Sequence, residues 1–238
     1  RKCSSSVVCT PEENEGIPSE DTMSDNYSRT NAVRLFASEL AAATETMRFA
    51  ESEKAPSYQL LPTGGRAHRV FVAGTVSEVD DVGDGSEYWR ARVVDPNGDG
   101  FFVFAGQYQP DAASMLRELE PPEYVSVVGK TDTFEGNDGE TYVSVQAEEV
   151  TKIDETTRDR WVIEAAEQTL DRLDAALDGE QPPGVGDEVD ENLFGLALER
   201  YGRQAVEEAR EATADAVATL TEEMTEREGT DGPTAAAD

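Results

Sequence analysis

Five short segments with alternating apolar and polar residues lie between residues 69 and 153. This period of two is typical of β-strands that bury one face. The first three are "RVFVAGTVSEV", "EYWRARVVD" and "FFVFAG", and the last two are "EYVSVVGKTDTF" and "TYVSVQAEEV". Between the third and the fourth, "PDAASMLRELEPP" predicts a short helix that starts at one proline and is stopped by two more. Gly74, in the middle of the first strand, indicates a bend or bulge in a closed sheet.

Three strands, a short helix and two further strands follow one another in the order of a five-stranded Greek-key OB barrel. The glycine-containing stretches "DDVGDGS" and "EGNDGE" fall where such barrels place the loops between strands one and two and between strands four and five. An SH3-like barrel would lack the inserted helix. The sequence therefore predicts an α+β protein, a five-stranded OB-fold β-barrel flanked by an N-terminal helix and C-terminal helices.

The flanking segments have helical spacing. "TNAVRLFASELAAATETMRFA" predicts an N-terminal helix over residues 30–52. Trp161, Leu170, Leu173 and Leu177 form an apolar stripe that predicts a helix over residues 154–179. One helix cannot bury its stripe alone, so this helix must pack on the barrel or on another subunit. The remaining expected regions are a disordered leader over 1–29, a linker over 53–68, the OB-fold domain over 69–153, a linker over 180–190, a C-terminal helical region over 191–228 and a disordered tail over 229–238.

The charge balance is strongly acidic, with 51 Asp and Glu residues, 20 Lys and Arg residues and a formal net charge of -31. An acid-rich surface with few lysines indicates a halophilic protein that works in molar salt. At about 1 M ionic strength the Debye length is about 3 Å, so distant carboxylates act little on a bound phosphate. Stacking of bases on aromatic rings, worth about 1–3 kcal/mol per base, is then the favoured way to hold nucleic acid.

Membrane and secreted classes are not expected. No apolar run approaches the length of a membrane span, and residues 1–22 lack the apolar core of a signal peptide. Met23 resembles a natural start, which would make residues 1–22 an upstream extension. Cys3 and Cys9 have no second pair of metal ligands nearby, so neither a disulfide nor a metal knuckle is predicted. We expect a cytoplasmic protein.

Catalytic signals are weak throughout the sequence. His68 is the single histidine, and no glycine-rich phosphate loop, nucleophilic-serine elbow or Cys–His pairing is present. "DPNGDGFFVFAG" starts like a calcium loop, but Gly106 stands where the bidentate glutamate belongs, so the stretch predicts a hairpin turn. We therefore expect no enzyme activity, cofactor, metal or small-molecule substrate.

The second strand determines which of its faces points outward. Arg90 and Arg92 share one face with Tyr88, and two arginines cannot both lie in a small barrel core. Trp89, on the opposite face, is predicted to point into the core. The third strand carries phenylalanine on both faces, so its outer face needs a cover, either unstacked bases or a packed helix.

In OB folds the outer face of strands two and three is the usual oligonucleotide surface. The predicted nucleic-acid-binding residues, with two neighbours on strands four and five, are Tyr88, Arg90, Arg92, Phe102, Phe104, Tyr108, Lys130 and Tyr142. Before any resemblance is considered, the open alternative is that the chain's own helices cover this face and that carboxylates pair with the arginines.

Four segments carry a resemblance to a known family: "NAVRLFASELAAAT", "YQLLPTGGRAHRVFVAGT", "EYWRARVVDPNGDGFFVFAGQYQPDAASMLRELEPPEYVSVVGK" and "TTRDRW". From about Asn31 to Leu177 the chain resembles the haloarchaeal replication protein A-associated proteins, which are OB-fold partners of the single-stranded-DNA-binding protein. The resemblance implies a subunit of a replication protein A-type complex that binds single-stranded DNA in replication and repair, together with a larger multi-OB subunit.

The same resemblance implies assembly through the helix after the barrel, with Trp161, Leu170, Leu173 and Leu177 as the partner-docking residues. The "EGNDGE" loop departs from the family pattern of DNA contacts because it has no aromatic and no basic residue.

Two alternative functions stay open at this point. One is a protein-only assembly or regulatory adaptor without DNA contact, and the other is transfer-RNA or RNA binding through the same surface.

Overall fold

A computed structural model of the chain describes residues 31–48, 56–136, 138–180, 182 and 192–230. The predicted leader, most of the 180–190 linker and most of the tail, as well as Cys3 and Cys9, lie outside these residues. The strands and helices in chain order are β1 (Ala32–Val33), α1 (Ala37–Ala42), β2 (Thr46–Met47), β3 (Tyr58–Leu60), β4 (Arg66–Ala67), β5 (Arg69–Asp81), β6 (Tyr88–Val94), β7 (Gly100–Gly106), α2 (Pro110–Arg117), β8 (Glu123–Glu135), β9 (Thr141–Lys152), α3 (Glu155–Asp178) and α4 (Leu193–Thr230).

Strands β5 to β9 close into a barrel in the order β5-β6-β7-β9-β8, and β8 pairs back onto β5. Strands β7 and β9 run parallel, and the other neighbouring pairs of the barrel are antiparallel. With α2 between the third and fourth strands, this is the OB-fold topology. The predicted fold class is confirmed.

The barrel core is formed by the inward positions of each strand, which are small or β-branched residues together with one aromatic ring. Gly74 lies at a tight point of this barrel, because a Cβ there would lie 2.2 Å from the Val94 carbonyl oxygen. The pairing of β5 with β6 shifts register between Val76 and Glu78, just beyond that glycine. The buried inward residues include Val70, Val72, Val76, Ala91, Val93, Phe101, Val103, Ala105, Val125, Val127, Val143, Val145 and Ala147.

The N-terminal helix differs from the prediction. The single helix expected over residues 30–52 is wrong in its extent, because α1 has only six residues and short strands lie on both sides of it. Leu35, Phe36 and Leu40 are all buried, and the Ala37 N–H donates to the Asp95 carboxylate at 2.9 Å. Contacts with the barrel therefore decide where this helix starts and override the helix propensity of the alanines.

The residues predicted as a linker over 53–68 include the strands β3 and β4, which pair with each other, while β2 pairs with β3. Leu60 and Leu61 are buried within this segment. Leu60 packs in a small second apolar cluster with Leu193 and Ala197 of α4. The segment is thus a small sheet that holds the start of α4.

Helix α3 packs on its own barrel. Its first turn is capped by Asp154, which accepts a hydrogen bond from the Thr157 N–H at 2.8 Å, and it ends at Gly179 with a left-handed φ of 73°. Trp161 is buried, and its indole N–H donates to the Phe71 carbonyl at 2.8 Å. The Trp161 ring also meets Phe101 edge-on, with the ring centroids 6.4 Å apart.

This packing corrects half of the predicted docking set. Trp161 and Leu173 are 2% and 8% exposed within this chain, so they have no surface left for a partner. Trp161 belongs to the barrel core, and Leu173 is buried within the chain. Leu170 and Leu177 are 46% and 80% exposed. These two residues remain candidates for docking.

Helix α4 lies antiparallel to α3, with a kink at Gly202, where φ is 78°. The start of α3 contacts the end of α4: Arg158 lies 2.7 Å from Glu223, and Arg227 lies 2.9 Å from Asp159. None of the helices in the described residues is long and apolar enough to cross a membrane.

Candidate nucleic-acid interface

The outer face of β6 and β7 brings cations and rings together. Ala91 and Val93 point into the core, so their neighbours Arg90 and Arg92 point outward, as predicted from alternation. The strand register places Arg90 opposite Phe104 and Arg92 opposite Phe102. Trp89, on the inner side, packs half-buried against the core.

Four aromatic rings form a connected aromatic row across the sheet: Tyr88, Phe104, Phe134 and Tyr142. Tyr88 and Phe104 stack with their centroids 5.6 Å apart, and Phe134 and Tyr142 stack at the same distance. Phe104 meets Phe134 edge-on at 6.5 Å and so joins the two pairs. The row spans strands β6, β7, β8 and β9, although its members are far apart in the sequence.

Phe134 belongs to this row but was not among the residues predicted from the sequence. The available signal was the alternation of β8, which puts Phe134 on the same face as Lys130. The contact between the end of β8 and Phe104 could not be predicted from the sequence, because it forms only when the barrel closes.

The rings are accessible to a ligand. Phe102, Phe134 and Tyr142 are 37%, 46% and 39% exposed, whereas Tyr88 and Phe104 are half-buried. Phe102 and Tyr142 also line a cavity of about 60 Å³ beside Leu40 and Ala41, where α1 borders the sheet. Helix α1 thus bounds the surface on one side and leaves the aromatic row open.

Two glycines leave room for the side chains of this face. A Cβ on Gly106 would lie 2.7 Å from the Tyr88 ring, and a Cβ on Gly100 would lie 2.6 Å from the Arg92 side chain. Because Gly106 has no side chain, the Tyr88 ring can lie across β7 and reach Phe104. The glycines at the two ends of β7 therefore help to shape the surface.

Hydrogen bonds hold the two tyrosines of the row. The Gln146 amide donates to the Tyr88 hydroxyl at 3.0 Å. The Tyr142 hydroxyl donates to the Asp138 carboxylate at 2.6 Å. This bond raises the pKa of Tyr142 and lowers the pKa of Asp138. Rings held in this way lose little side-chain freedom when a base stacks on them.

Most cations around the aromatic row already have carboxylate partners. Arg90 lies 2.8 Å from Asp80, and Lys130 lies 3.8 Å from Glu148, which Arg69 also contacts. The Arg92 guanidinium donates to the Gly98 carbonyl at 3.4 Å. Among the described residues, no carboxylate lies within ion-pair distance of it. Arg92 is thus the cation of this face best placed to take a phosphate.

Tyr108 lies apart from this arrangement. It is 84% exposed in the turn between β7 and α2 and stacks on none of the described rings. The turn between β8 and β9 contributes carboxylates and no cation to the face, as its sequence "EGNDGE" implies. Within the described ranges, no three His, Cys, Asp or Glu side chains gather as a metal site. Of the eight predicted nucleic-acid-binding residues, the structure therefore brings seven to one sheet surface.

The barrel topology and this outer face define the class of the protein, an OB-fold protein. No protein-family model matches the chain, and no curated protein matches its sequence. Many solved structures are similar to this chain in fold at low sequence identity, and three of them are described below.

The first of these is the Stn1–Ten1 complex of S. pombe, with 13% identity over 63% of this chain and 98% of that chain and a TM-score of 0.49. The second is the single-stranded-DNA-binding protein SSBb of Mycobacterium smegmatis, with 22% identity over 36% and 86% of the two chains and a TM-score of 0.31. The third is the mitochondrial single-stranded-DNA-binding protein Rim1 of S. cerevisiae, with 14% identity over 37% and 94% and a TM-score of 0.29.

Proposed function

We propose that this chain is a non-enzymatic OB-fold subunit that binds single-stranded DNA on its aromatic row, within a replication protein A-type complex acting in replication and repair. The observation that carries the proposal is the connected row of four rings, with Phe134 and Tyr142 exposed, beside Arg92, which has no carboxylate within ion-pair distance among the described residues. Base stacking on aromatic side chains contributes about 1–3 kcal/mol per base. It needs bases whose faces are free, so single strands fit this surface and duplexes do not.

The partner in this proposal is a larger replication protein A subunit. The support is the sequence resemblance together with the exposure of Leu170 and Leu177 on α3. Deleting α3 is a poor test of docking because Trp161 belongs to the barrel core. Leu170→Glu with Leu177→Glu leaves that core intact. Loss of co-purification with the larger subunit, with unchanged thermal unfolding, is the expected result.

A titration of a short fluorescent single strand with the full chain in molar KCl tests DNA binding. The unlabelled single strand should compete, and a duplex of the same sequence should not. A variant with Phe104→Ala and Phe134→Ala should bind much more weakly, because it interrupts the row at its centre. No binding by the wild-type chain, alone or with its larger subunit, would reject the DNA role.

The second candidate is a protein-only adaptor of the same complex. The observation in its favour is that Arg90 and Lys130 are already paired with Asp80 and Glu148. Co-purification with the larger subunit, combined with no effect of the ring variant on DNA affinity, would select this adaptor. Competition by RNA of the same sequence as strong as that by DNA would instead select RNA binding.

A further inference from the structure

The large apolar side chains exposed on the described residues fall into two groups of five. Val82, Phe102, Tyr108, Phe134 and Tyr142 lie on the barrel or its loops, and Ile163, Leu170, Leu177, Val217 and Met224 lie on α3 and α4. The proposed function uses much of the first group but only two members of the second. Exposed apolar residues that cluster in this way indicate a binding surface.

On α3 the exposed apolar residues recur every seven positions, at Ile163, Leu170 and Leu177. At about 100° per residue, Leu170 points opposite to Trp161, and the other two lie within about 20° of that direction. Because Trp161 is buried in the barrel core, this stripe points away from the barrel.

On α4 the same spacing separates Val217 from Met224. Glu223 and Arg227 point toward α3, since they contact its first turns. Val217 and Met224 lie about 80–100° around the helix from that direction. Ala212, whose carbonyl accepts a hydrogen bond from the Asn97 side chain of the barrel, lies about 40° around the other way. The α4 stripe therefore also points away from the barrel.

The two stripes flank one furrow between antiparallel helices, the hairpin groove, formed by Ile163, Leu170, Leu177, Val217 and Met224. We propose that the hairpin groove binds one amphipathic α-helix of a partner protein. The inference rests on the assembly part of the proposed function and gives α4 a role in it. A seven-residue apolar repeat is the spacing with which helices pack side by side. Ile163 to Leu177 spans about 21 Å, or about four turns of a partner helix.

The charges along the groove indicate which helix fits. Glu167 and Asp174 are exposed and follow Ile163 and Leu170 by four residues each, so they line the outer α3 edge. The α4 edge is more balanced, because Arg210 there lies 3.4 Å from Glu207. A helix with Lys or Arg along its α3-facing edge complements this pattern. A second copy would place the same acidic α3 edge against this one, so we assign the groove to a different, basic-edged helix.

Calorimetric titration of the full chain with a synthetic heptad peptide about three heptads long, with leucine at the apolar positions and lysine at both flanks, tests this assignment. We expect binding by the wild-type chain. We expect the peptide to bind a Leu170→Glu, Met224→Glu variant at least tenfold more weakly than the wild type. A matched peptide with glutamate flanks should bind the wild-type chain at least tenfold more weakly than the lysine peptide. A Val82→Glu variant, which changes an exposed apolar residue far from the groove, should bind the peptide like the wild type.

Three results would overturn the proposal: no peptide binding, equal binding by the groove variant, or equal binding by a scrambled peptide of the same charge. Sedimentation showing a wild-type dimer that the groove variant abolishes would also overturn the proposal, because a second copy would then occupy the groove.

A Leu170→Ala, Met224→Ala variant with unchanged thermal unfolding repeats the test without added charge. Single-stranded DNA affinity, measured on the same variants, should not change, which separates failure of this inference from failure of DNA binding.

Discussion

The ring of Tyr88 stacks on the ring of Phe104, with centroids 5.6 Å apart and planes 19° apart. The two residues lie on neighbouring strands, and the stack joins the outer faces of β6 and β7 into one surface. Phe134 continues that surface from a third strand, with its ring edge-on to Phe104. Rings in mutual contact are coupled energetically, so substitutions within the row should not be additive.

Substitution of the rings on β7 should weaken DNA binding. A Phe102→Ala, Phe104→Ala variant removes two stacking surfaces, and we expect a loss of about 2 kcal/mol or more in affinity for single strands. Fluorescence titration in molar KCl measures this loss, with Leu177→Ala, an exposed apolar substitution on α3, as the matched control. Unchanged affinity of the ring variant would remove these rings from the DNA-binding surface.

The number of phosphate contacts should be small. Among the described residues, no carboxylate lies within ion-pair distance of Arg92. Arg92→Gln should therefore lower the slope of log affinity against log salt by about 0.7, the value for one phosphate of a single strand. Arg90→Gln should change the slope less because Asp80 already neutralises Arg90. Titrations over a KCl series measure both slopes. A larger effect at Arg90 than at Arg92 would contradict this assignment.

A buried ion pair joins α3 to α1. Arg172 and Glu39 lie 2.7 Å apart with side chains 4% and 1% exposed, and Arg172 also donates to the Thr63 hydroxyl. Arg172→Met should reduce the free energy of unfolding by about 3–5 kcal/mol, because it leaves a buried carboxylate unpaired. Adding Glu39→Leu should recover much of that loss in denaturant unfolding. Strictly additive losses would show that the two side chains are not coupled.

The pH dependence of stability should show the effect of Asp95. Burial raises the pKa of this carboxyl from 3.8 to about 6, although it accepts hydrogen bonds from the N–H groups of Ala37, Asn97 and Asp99. A carboxyl with a higher pKa in the folded state binds its proton more tightly there, so folding gains stability as the pH falls from above 6 toward 4.

Denaturant unfolding at each pH tests this effect. The unfolding free energy of the wild type minus that of Asp95→Asn should rise by up to about 3 kcal/mol between pH 7 and pH 4. Asp154 provides the opposite control, because hydrogen bonds from Thr157 lower its pKa. Its stabilising contribution should therefore decline as the pH falls. The expectation would be contradicted if the wild type minus Asp95→Asn difference did not change with pH. It would also be contradicted if the contributions of Asp95 and Asp154 to the unfolding free energy changed in the same direction with pH.

The barrel could be predicted from the sequence because its determinants are local. Alternation defined each strand, and prolines limited α2 at both ends. The outward direction of Arg90 and Arg92 followed from the cost of burying two guanidinium groups. The site residues on β6 and β7 needed only the strand period, and they remain predictions as DNA contacts.

Features that depend on distant contacts could not be predicted. The start of α1 depends on Asp95, a residue 58 positions away from Ala37. Trp161 has the spacing of an amphipathic stripe, but its contacts with Phe101 and the Phe71 carbonyl make it part of the barrel core. Phe134 joins the aromatic row only because barrel closure brings the end of β8 to Phe104. In each case the tertiary contact, and not the local pattern, determines the role.

Photo-crosslinking of a bromouracil-containing single strand to the full chain, followed by mapping of the modified residues, tests DNA binding on the aromatic row most directly. We predict crosslinks at Phe102, Phe104, Phe134 or Tyr142, competed away by unlabelled single strand and lost in the Phe104→Ala, Phe134→Ala variant. Crosslinks confined to α3 and α4, or none on a chain shown to be folded, would contradict the assignment of this surface to single-stranded DNA.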